Sequence, residues 1–433
     1  MAQALESRTE EYLSGRGAKR LFDEVCDGIF QELRQIPIGE GRELLVQVRS
    51  ALDNEVAAEQ RFRREFNMAR EEAQRAGSAE ELGRLRKGFD GLVMAYFIRR
   101  ESVPAFHSLC TTVLDTMVSQ ALRLAEEELS RGGFGTAPCY TWLVLGAAGR
   151  HEASLASELE SLMVHEAGAE AEEYCTALAV RSSAILERCG FRKSGRVPMP
   201  DDPAWRASLD GWQVRLEKLC SRSHEPPRPN PLPTLPGLRL DELLPLRKTK
   251  LSTPLFELAD LRIVSGNINL GRELLTLVRV AAERHPACIL EAAHTVAALP
   301  TPFTFLGNYR VERSGPQRGK LDLNRWACLP LVAMVRLQAV TSGITETGTL
   351  ERIQALLRAG AIDVELGKRL HQGGLEIFRL KALLEALDNA SMRDGAFLRP
   401  DSLATSDEIA FREALEALTN LQKVIHSSLA EKV

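Results

Sequence analysis

The segment spanning residues 139–165, CYTWLVLGAAGRHEASLASELESLMVHE, constrains the fold more than any other part of the chain. Its apolar run from Tyr140 to Leu145 predicts a buried β-strand, because so many consecutive apolar residues need cover on both faces. The run ends in a turn of small residues, GAAG, at 146–149. After this turn we expect a short helical segment starting near Arg150, and then a second strand-like segment.

Two acidic residues stand two positions apart in that second segment, Glu158 and Glu160. In a strand they would point to the same face. A glycine turn at a helix N-terminus can hold phosphate oxygens with its N–H groups, and paired carboxylates can hold Mg²⁺. The pattern therefore indicates a nucleotide-and-metal site. The alternatives are a strand–helix turn that needs glycine for its backbone and a solvated strand edge for the two glutamates.

The bulk properties of the chain exclude several classes of protein. Its 433 residues are enough for two or three domains. A net charge of −4 gives no general attraction to nucleic acid. No apolar run approaches the roughly 20 residues of a membrane span, and the opening MAQALESRTEEYLSGR has no signal-peptide core. Eight scattered cysteines without a CxxC pair favour reduced thiols. We therefore expect a cytoplasmic protein without nucleic-acid or membrane partners.

Helical periodicity dominates the rest of the chain, so the predicted fold is α+β and predominantly helical. A small mixed sheet with flanking helices would stand between an N-terminal helical region and a C-terminal helical bundle. The predicted division is a helical region at 1–100, a sheet-containing domain at 101–222, a linker at 223–250 and a separately folding helical domain at 251–433. The linker contains PPRPNPLPTLP, with six prolines.

Several local features refine this division. Ser78 is a candidate N-cap for a helix that restarts after Gly77. Trp205 and Trp212, seven residues apart, are predicted on one helix face. Residues 302–323 are predicted to form a small hairpin. The helices of residues 1–100 either pack on their own neighbours or pair with a partner, which makes a homo-oligomer through them an open alternative.

The residues around the glycine turn resemble a known family. LGAAGRHEASLASELESLMV is similar to the pattern LGSxGRxExxLxTDQDNALI of nucleotidyltransferases related to PII-protein uridylyltransferases and glutamine-synthetase adenylyltransferases, within the polymerase-β superfamily. The matching positions are Gly146, Gly149, Arg150, Glu152 and Leu155.

The resemblance extends over roughly residues 100–390. CGFRKSGRVPMPDDPAW resembles the family's next block, with Asp202 where asparagine is usual. ADLRIVSG, which contains Asp260 and Arg262, resembles the start of the family's C-terminal substrate-binding domain. GKLDLNRWACLPLVAMVRLQAV resembles its Asp-Leu-Lys helix, with Asp322 matching and Asn324 replacing lysine.

The departures from the family pattern fall on its chemistry. Ala147 replaces the serine whose hydroxyl donates to a nucleotide phosphate, and such a charge-assisted hydrogen bond contributes about 1.5–3 kcal/mol. Glu158 and Glu160 replace two aspartates, and Ser161 replaces an asparagine. The longer side chains keep the charge but move the carboxylates one methylene further from the backbone.

The resemblance implies a metal-dependent transferase of the uridylyl- or adenylyltransferase type, which moves a nucleotidyl group from a nucleoside triphosphate (NTP) to an acceptor that could be a protein. Mg²⁺ or Mn²⁺ would be held by Glu158 and Glu160, and the triphosphate by Gly146, Ala147, Gly149 and Arg150. The alternative is a catalytically degenerate nucleotide sensor or protein-interaction scaffold.

Four further residues are candidate substrate contacts, each with a structural alternative. Asp202 could instead cap the helix of Trp205. Asp260 and Arg262 could form an ion pair, and Asp322 could cap its own helix. Arg150, too, could form a salt bridge rather than bind phosphate.

Overall fold

The computed structural model describes residues 38–191, 197–221, 254–387 and 396–430. The proline-rich stretch at 226–236, and with it the predicted linker, lies outside the described residues. Among the described helices, none is long and apolar enough to cross a membrane.

Three long helices precede the sheet: α1 (Ile38–Arg75), α2 (Ala79–Arg100) and α3 (Val103–Arg131). Helix α2 begins as predicted, because the Ser78 hydroxyl accepts a hydrogen bond from the Glu81 N–H at 3.2 Å. Helices α2 and α3 pack together through buried apolar residues, and the rings of Phe97 and Phe106 lie 4.8 Å apart.

A four-stranded mixed sheet follows, with the strand order β3-β2-β1-β4. Strand β1 pairs antiparallel with both β2 and β4, and β3 lies parallel to β2. Every residue of β1 and β2 is buried, which explains the uninterrupted apolar run of the predicted first strand. The strands are β1 (Tyr140–Val144), β2 (Ser161–His165), β3 (Arg206–Ser208) and β4 (Arg262–Gly266).

Helices cover both faces of the sheet. Leu143 and Leu162 share a buried cluster with Trp212 and Leu274 of two covering helices, while α3 packs on a further helix that follows β2. The helices that alternate with these strands along the chain are α4 (Gly146–Gly149), α5 (Ala169–Arg188), α6 (Leu209–Ser221), α7 (Pro254–Glu257) and α8 (Ile268–Arg284).

The C-terminal part is a helical bundle with one small two-stranded sheet, which agrees with the predicted helices. Its elements are α9 (Pro286–Ala297), β5 (Leu321–Asp322), a π-helical turn (Asn324–Cys328), α10 (Leu329–Thr341), α11 (Thr349–Arg358), α12 (Val364–Leu387), β6 (Phe397–Leu398) and α13 (Thr405–Ala430). In the predicted hairpin, Phe303 and Tyr309 form a β-bridge, and Glu312 exchanges backbone hydrogen bonds with 319–320. The fold is thus predominantly helical α+β, as predicted.

Two predictions about this architecture are corrected. Trp205 lies in a 3₁₀ turn before β3, whereas Trp212 lies in α6, so they do not share a helix face. Strand β4 belongs to the predicted helical domain 251–433, yet it pairs with β1 in the sheet, and α8 packs on that sheet. The sheet and the segment after residue 250 are therefore one structure.

Candidate functional site

The glycine turn forms a single helical turn directly after β1. Gly146 has φ of 61°, and a side chain there would collide with the carboxylate of Glu160. A side chain at Gly149 would collide with the backbone oxygen of Asp260. Gly146 is therefore required for its backbone conformation, and Gly149 is required for the close approach of the Asp260 backbone.

The helical part of this segment lies earlier than predicted. The turn occupies the glycines themselves, and residues 151–160 form no helix after Arg150. Strand β2 begins only at Ser161, so Glu158 and Glu160 precede it. Glu160 still continues the pairing, because its carbonyl oxygen accepts a hydrogen bond from Leu145 N–H at 3.0 Å.

The two predicted carboxylates have different environments. Glu160 is partly buried and its carboxylate lies against Gly146, whereas Glu158 is exposed. Burial of Glu160, together with repulsion from Glu257, raises the pKa of its carboxyl from 4.5 to about 7, although Arg150 and Arg336 oppose this rise. One of the two carboxyl groups is thus at the turn in a form that changes charge near neutral pH.

A buried group of five charged residues lies beside the turn, and we call it the Asp260 hub: Asp260, Arg150, Glu152, Arg336 and Arg352. Asp260 is fully buried and accepts hydrogen bonds from Arg150 at 2.7 Å, from Arg352 at 2.7 Å and from both Nε and Nη2 of Arg336. Burial alone would raise the pKa of Asp260, but the arginines, Arg336 first, lower it to about 2.

The hub connects the glycine turn to the helical bundle. Arg150 donates to Glu152 at 2.8 Å, and Glu152 accepts the backbone N–H of Thr349 at the start of α11. The sequence left open whether Arg150 binds phosphate or forms a salt bridge. Its side chain does form salt bridges, with Glu152 and Asp260, and both are buried within the hub. Truncating one member of such a group would leave uncompensated buried charge, so the hub fixes the turn relative to the bundle.

The remaining predicted contacts have structural partners. Arg262 forms a bidentate salt bridge with Asp115 at 2.8 Å and also donates to the carbonyl of Ala148. The alternative of an ion pair between Asp260 and Arg262 is therefore wrong, because each has other partners. Asp202 caps the 3₁₀ turn of Trp205 by accepting from Ala204 N–H at 2.9 Å.

Asp322 accepts a hydrogen bond from the N–H of Arg325 at 3.1 Å, as its capping alternative predicts.

The loop between the glycine turn and β2 is held by hydrogen bonds to distant helices. The hydroxyl of Ser154 donates to Glu385 of α12 at 2.9 Å, and Arg86 of α2 donates to the Leu155 carbonyl at 3.4 Å.

Sequence reasoning missed Arg336, Arg352 and Glu385. A signal for Arg336 was present, because it is the single charged residue in the apolar run LPLVAMVRLQAV. A charge at a buried helix position needs a partner of opposite sign. The partner, Asp260, lies 76 residues away in the chain, so the pattern alone could not identify it.

The carboxylates fit a divalent ion only in part. Within the described ranges, no three histidine, cysteine, aspartate or glutamate side chains converge as a metal site. At nucleotide sites, however, Mg²⁺ commonly takes one or two carboxylates together with substrate phosphates. Glu160 can serve as such a carboxylate, whereas Glu158 is exposed and precedes β2.

A cavity of about 940 Å³ lies elsewhere, among α7, α8, α9 and the end of α10. Its walls are mainly apolar, with Ala259 and Arg352 at the side of the hub. Neither the glycine turn nor Glu160 lines it. It is therefore separate from the candidate phosphate site.

Two family models match the chain. Residues 87–226 match the model described as "Putative nucleotidyltransferase DUF294". Residues 286–429 match the model described as "Putative nucleotidyltransferase substrate binding domain". No curated protein matches the chain significantly. The turn and Glu160 lie in the first match, Arg336 and Arg352 lie in the second, and Asp260 lies between them.

Proposed function

The chain belongs to the DUF294 nucleotidyltransferase family, with that family's C-terminal substrate-binding domain, and from this premise we propose that it binds an NTP at the 146–149 turn and transfers its nucleotidyl group. The NTP would be UTP or ATP, by analogy with the related uridylyl- and adenylyltransferases. The acceptor would be a protein, as it is for those relatives.

The observation that carries this proposal is the contact of the Glu160 carboxylate with Gly146. An acidic group beside a phosphate-binding turn is what this chemistry needs, because a carboxylate there can accept the proton of an attacking hydroxyl. Glu160 would orient the acceptor and remove its proton as the nucleotidyl bond forms. Pyrophosphate would leave from the turn.

Two further groups would assist at the turn. The backbone N–H groups at 146–149 would hold phosphate oxygens, without the serine hydroxyl that Ala147 lacks. Glu160 would hold Mg²⁺ or Mn²⁺ together with the phosphates, and the metal when bound neutralises phosphate charge. Glu158, which stands where the family has an aspartate, would be the second carboxylate only if its exposed side chain turned toward the turn.

The second candidate is a nucleotide sensor or scaffold without transfer. The missing hydroxyl at Ala147 and the exposure of Glu158 favour it, because both reduce the groups available to the reacting phosphate. Both candidates require nucleotide binding, so transfer is what separates them.

Isothermal titration of the full chain with each NTP, with and without Mg²⁺ or Mn²⁺, tests the binding. Transfer is then measured with α-phosphate-labelled NTP and a cell extract as the source of acceptor. We expect Glu160→Gln to abolish labelling, while the matched control Glu170→Gln, at an exposed position of α5, labels like the wild type. Nucleotide binding without any labelling would support the sensor, and absence of NTP binding would contradict both candidates.

A further inference from the structure

The three arginines of the Asp260 hub differ in how fully their guanidinium groups are used. Arg352 donates from all three nitrogens, to the carbonyls of Glu346 and Ala259 and to Asp260. Arg150 donates from Nε and Nη1, and Arg336 donates from Nε and Nη2. Within the described part of the chain, Nη2 of Arg150 and Nη1 of Arg336 make no hydrogen bond.

Exposure divides the arginines in the same way. The side chains of Arg150 and Arg336 retain 11% and 9% exposure, whereas Arg352 retains 2%. Arg150 and Arg336 also act electrostatically on Glu160, the carboxyl group that touches the glycine turn. The two arginines with unused nitrogens are thus the two whose charges act on Glu160, and Arg352 is a structural member of the hub.

Arg336 is held in a defined orientation. Its Nε and Nη2 donate hydrogen bonds to the two carboxylate oxygens of Asp260, and its guanidinium carbon lies 5.2 Å from the ring centre of Phe256. A guanidinium fixed in this way loses little conformational freedom when a ligand binds, which favours affinity.

We propose that Arg336 is a phosphate-binding residue that, with Arg150, holds the polyphosphate of the nucleotide at the 146–149 turn. This inference rests on the proposed function and adds a residue from the second family domain to its site. Guanidinium groups form strong, charge-assisted bonds to phosphate oxygens. The pair would supply donors at a turn whose Ala147 has lost one.

The proposal gives the C-terminal domain a direct part in binding. Arg336 lies in α10, within the substrate-binding match, while the turn lies in the catalytic match. Asp260, between the two matches, would hold the arginines from both sides in register. A nucleotide would then bind only where both domains and the hub are assembled.

Titration calorimetry of the full chain with NTP and with inorganic tripolyphosphate tests the inference. We expect Arg336→Gln to weaken binding of both ligands by about 10- to 100-fold, the value of one charge-assisted phosphate contact. The matched control Arg206→Gln also removes a buried arginine, but one outside the hub that donates to the Pro200 carbonyl, so we expect a change below about 3-fold. Thermal unfolding of each variant shows whether it is folded.

A second substitution at the same position keeps the test valid if Arg336→Gln fails to fold. Arg336→Lys keeps the charge, but one ammonium cannot reproduce the two bonds to Asp260 and a third to phosphate, so we expect about a 10-fold loss. Equal affinities for wild type and both Arg336 variants would overturn the inference and leave the proposed function intact. Equal losses in Arg336→Gln and Arg206→Gln would also overturn it, since a general disturbance of the fold by loss of a buried arginine would then be the cause. A wild type that binds no NTP would refute the proposed function itself.

Discussion

Replacing Glu160 with glutamine should stabilise the folded protein at alkaline pH. The carboxyl group is partly buried against Gly146, and its pKa is raised by burial and by Glu257. A glutamine of the same shape keeps the packing and removes the charge. A residue kept for function at a cost in stability should show this behaviour.

The size of the effect follows from the pKa. In the unfolded chain the group titrates near 4.5, and in the folded protein near 7. Between these values the folded protein binds the proton more tightly, so ionisation destabilises the fold progressively as the pH rises. The full penalty, about 3 kcal/mol, is present above pH 7 and absent below about pH 4.5.

Thermal unfolding without nucleotide and with a chelator measures this effect. We expect Glu160→Gln to melt near the wild-type temperature at pH 4.5 and on the order of 5 °C higher at pH 8. Glu170→Gln, on the exposed side of α5, should show no such pH-dependent gain. A Glu160→Gln shift that is the same at both pH values, or a loss of stability at pH 8, would refute the burial of this carboxyl group at the turn.

Three further predictions concern the turn and its surroundings. Gly149→Ala should lower the free energy of unfolding by about 1–3 kcal/mol or more, because the new methyl group meets the Asp260 carbonyl. The control Gly88→Ala, in open space within α2, should raise it by about 0.5–1 kcal/mol, and denaturant titrations measure both changes. Burial lowers the pKa of His107 from 6.5 to about 4, so protonation of this histidine in the unfolded chain removes stability as the pH falls from 6.5 to 4. The melting temperature of His107→Phe should therefore fall less over that interval than the melting temperature of the wild type. Ala147→Ser should tighten NTP binding by about 1.5–3 kcal/mol in calorimetry, and unchanged affinity would place the phosphate away from this turn.

Local patterns were sufficient for most of the secondary structure. The buried strand from Tyr140 and the cap at Ser78 depend on near neighbours in sequence, and both agree with the structure. The pair Glu158 and Glu160 shows where such reasoning stops. Alternation assigned both residues to one strand face. In the structure β2 begins at Ser161, one residue after Glu160, and only Glu160 of the two continues the pairing with the first strand.

The Asp260 hub could not be predicted because its bonds join distant segments. Arg150 lies 110 residues before Asp260, and Arg352 lies 92 residues after it. Resemblance suggested Asp260 and Arg262 as neighbours in function, and proximity in sequence suggested an ion pair. Asp260 instead ends a 3₁₀ turn, and β4 begins only at Arg262. The change of backbone conformation between them lets Asp260 bond to the hub and Arg262 bond to Asp115.

The proline-rich stretch suggested a boundary after which the helical bundle folds alone, but the hydrogen bonds of the described residues argue for a different division. Beginning the chain at residue 250 would leave β4 without its partner β1 and Asp260 without Arg150. An unpaired strand edge and an incompletely compensated buried carboxylate both cost stability. Because the same Asp260 holds Arg336 of the bundle, the contacts that keep the two family domains together are also those proposed to shape the phosphate site. Packing of the bundle against the sheet and assembly of the proposed phosphate site therefore depend on the same hydrogen bonds.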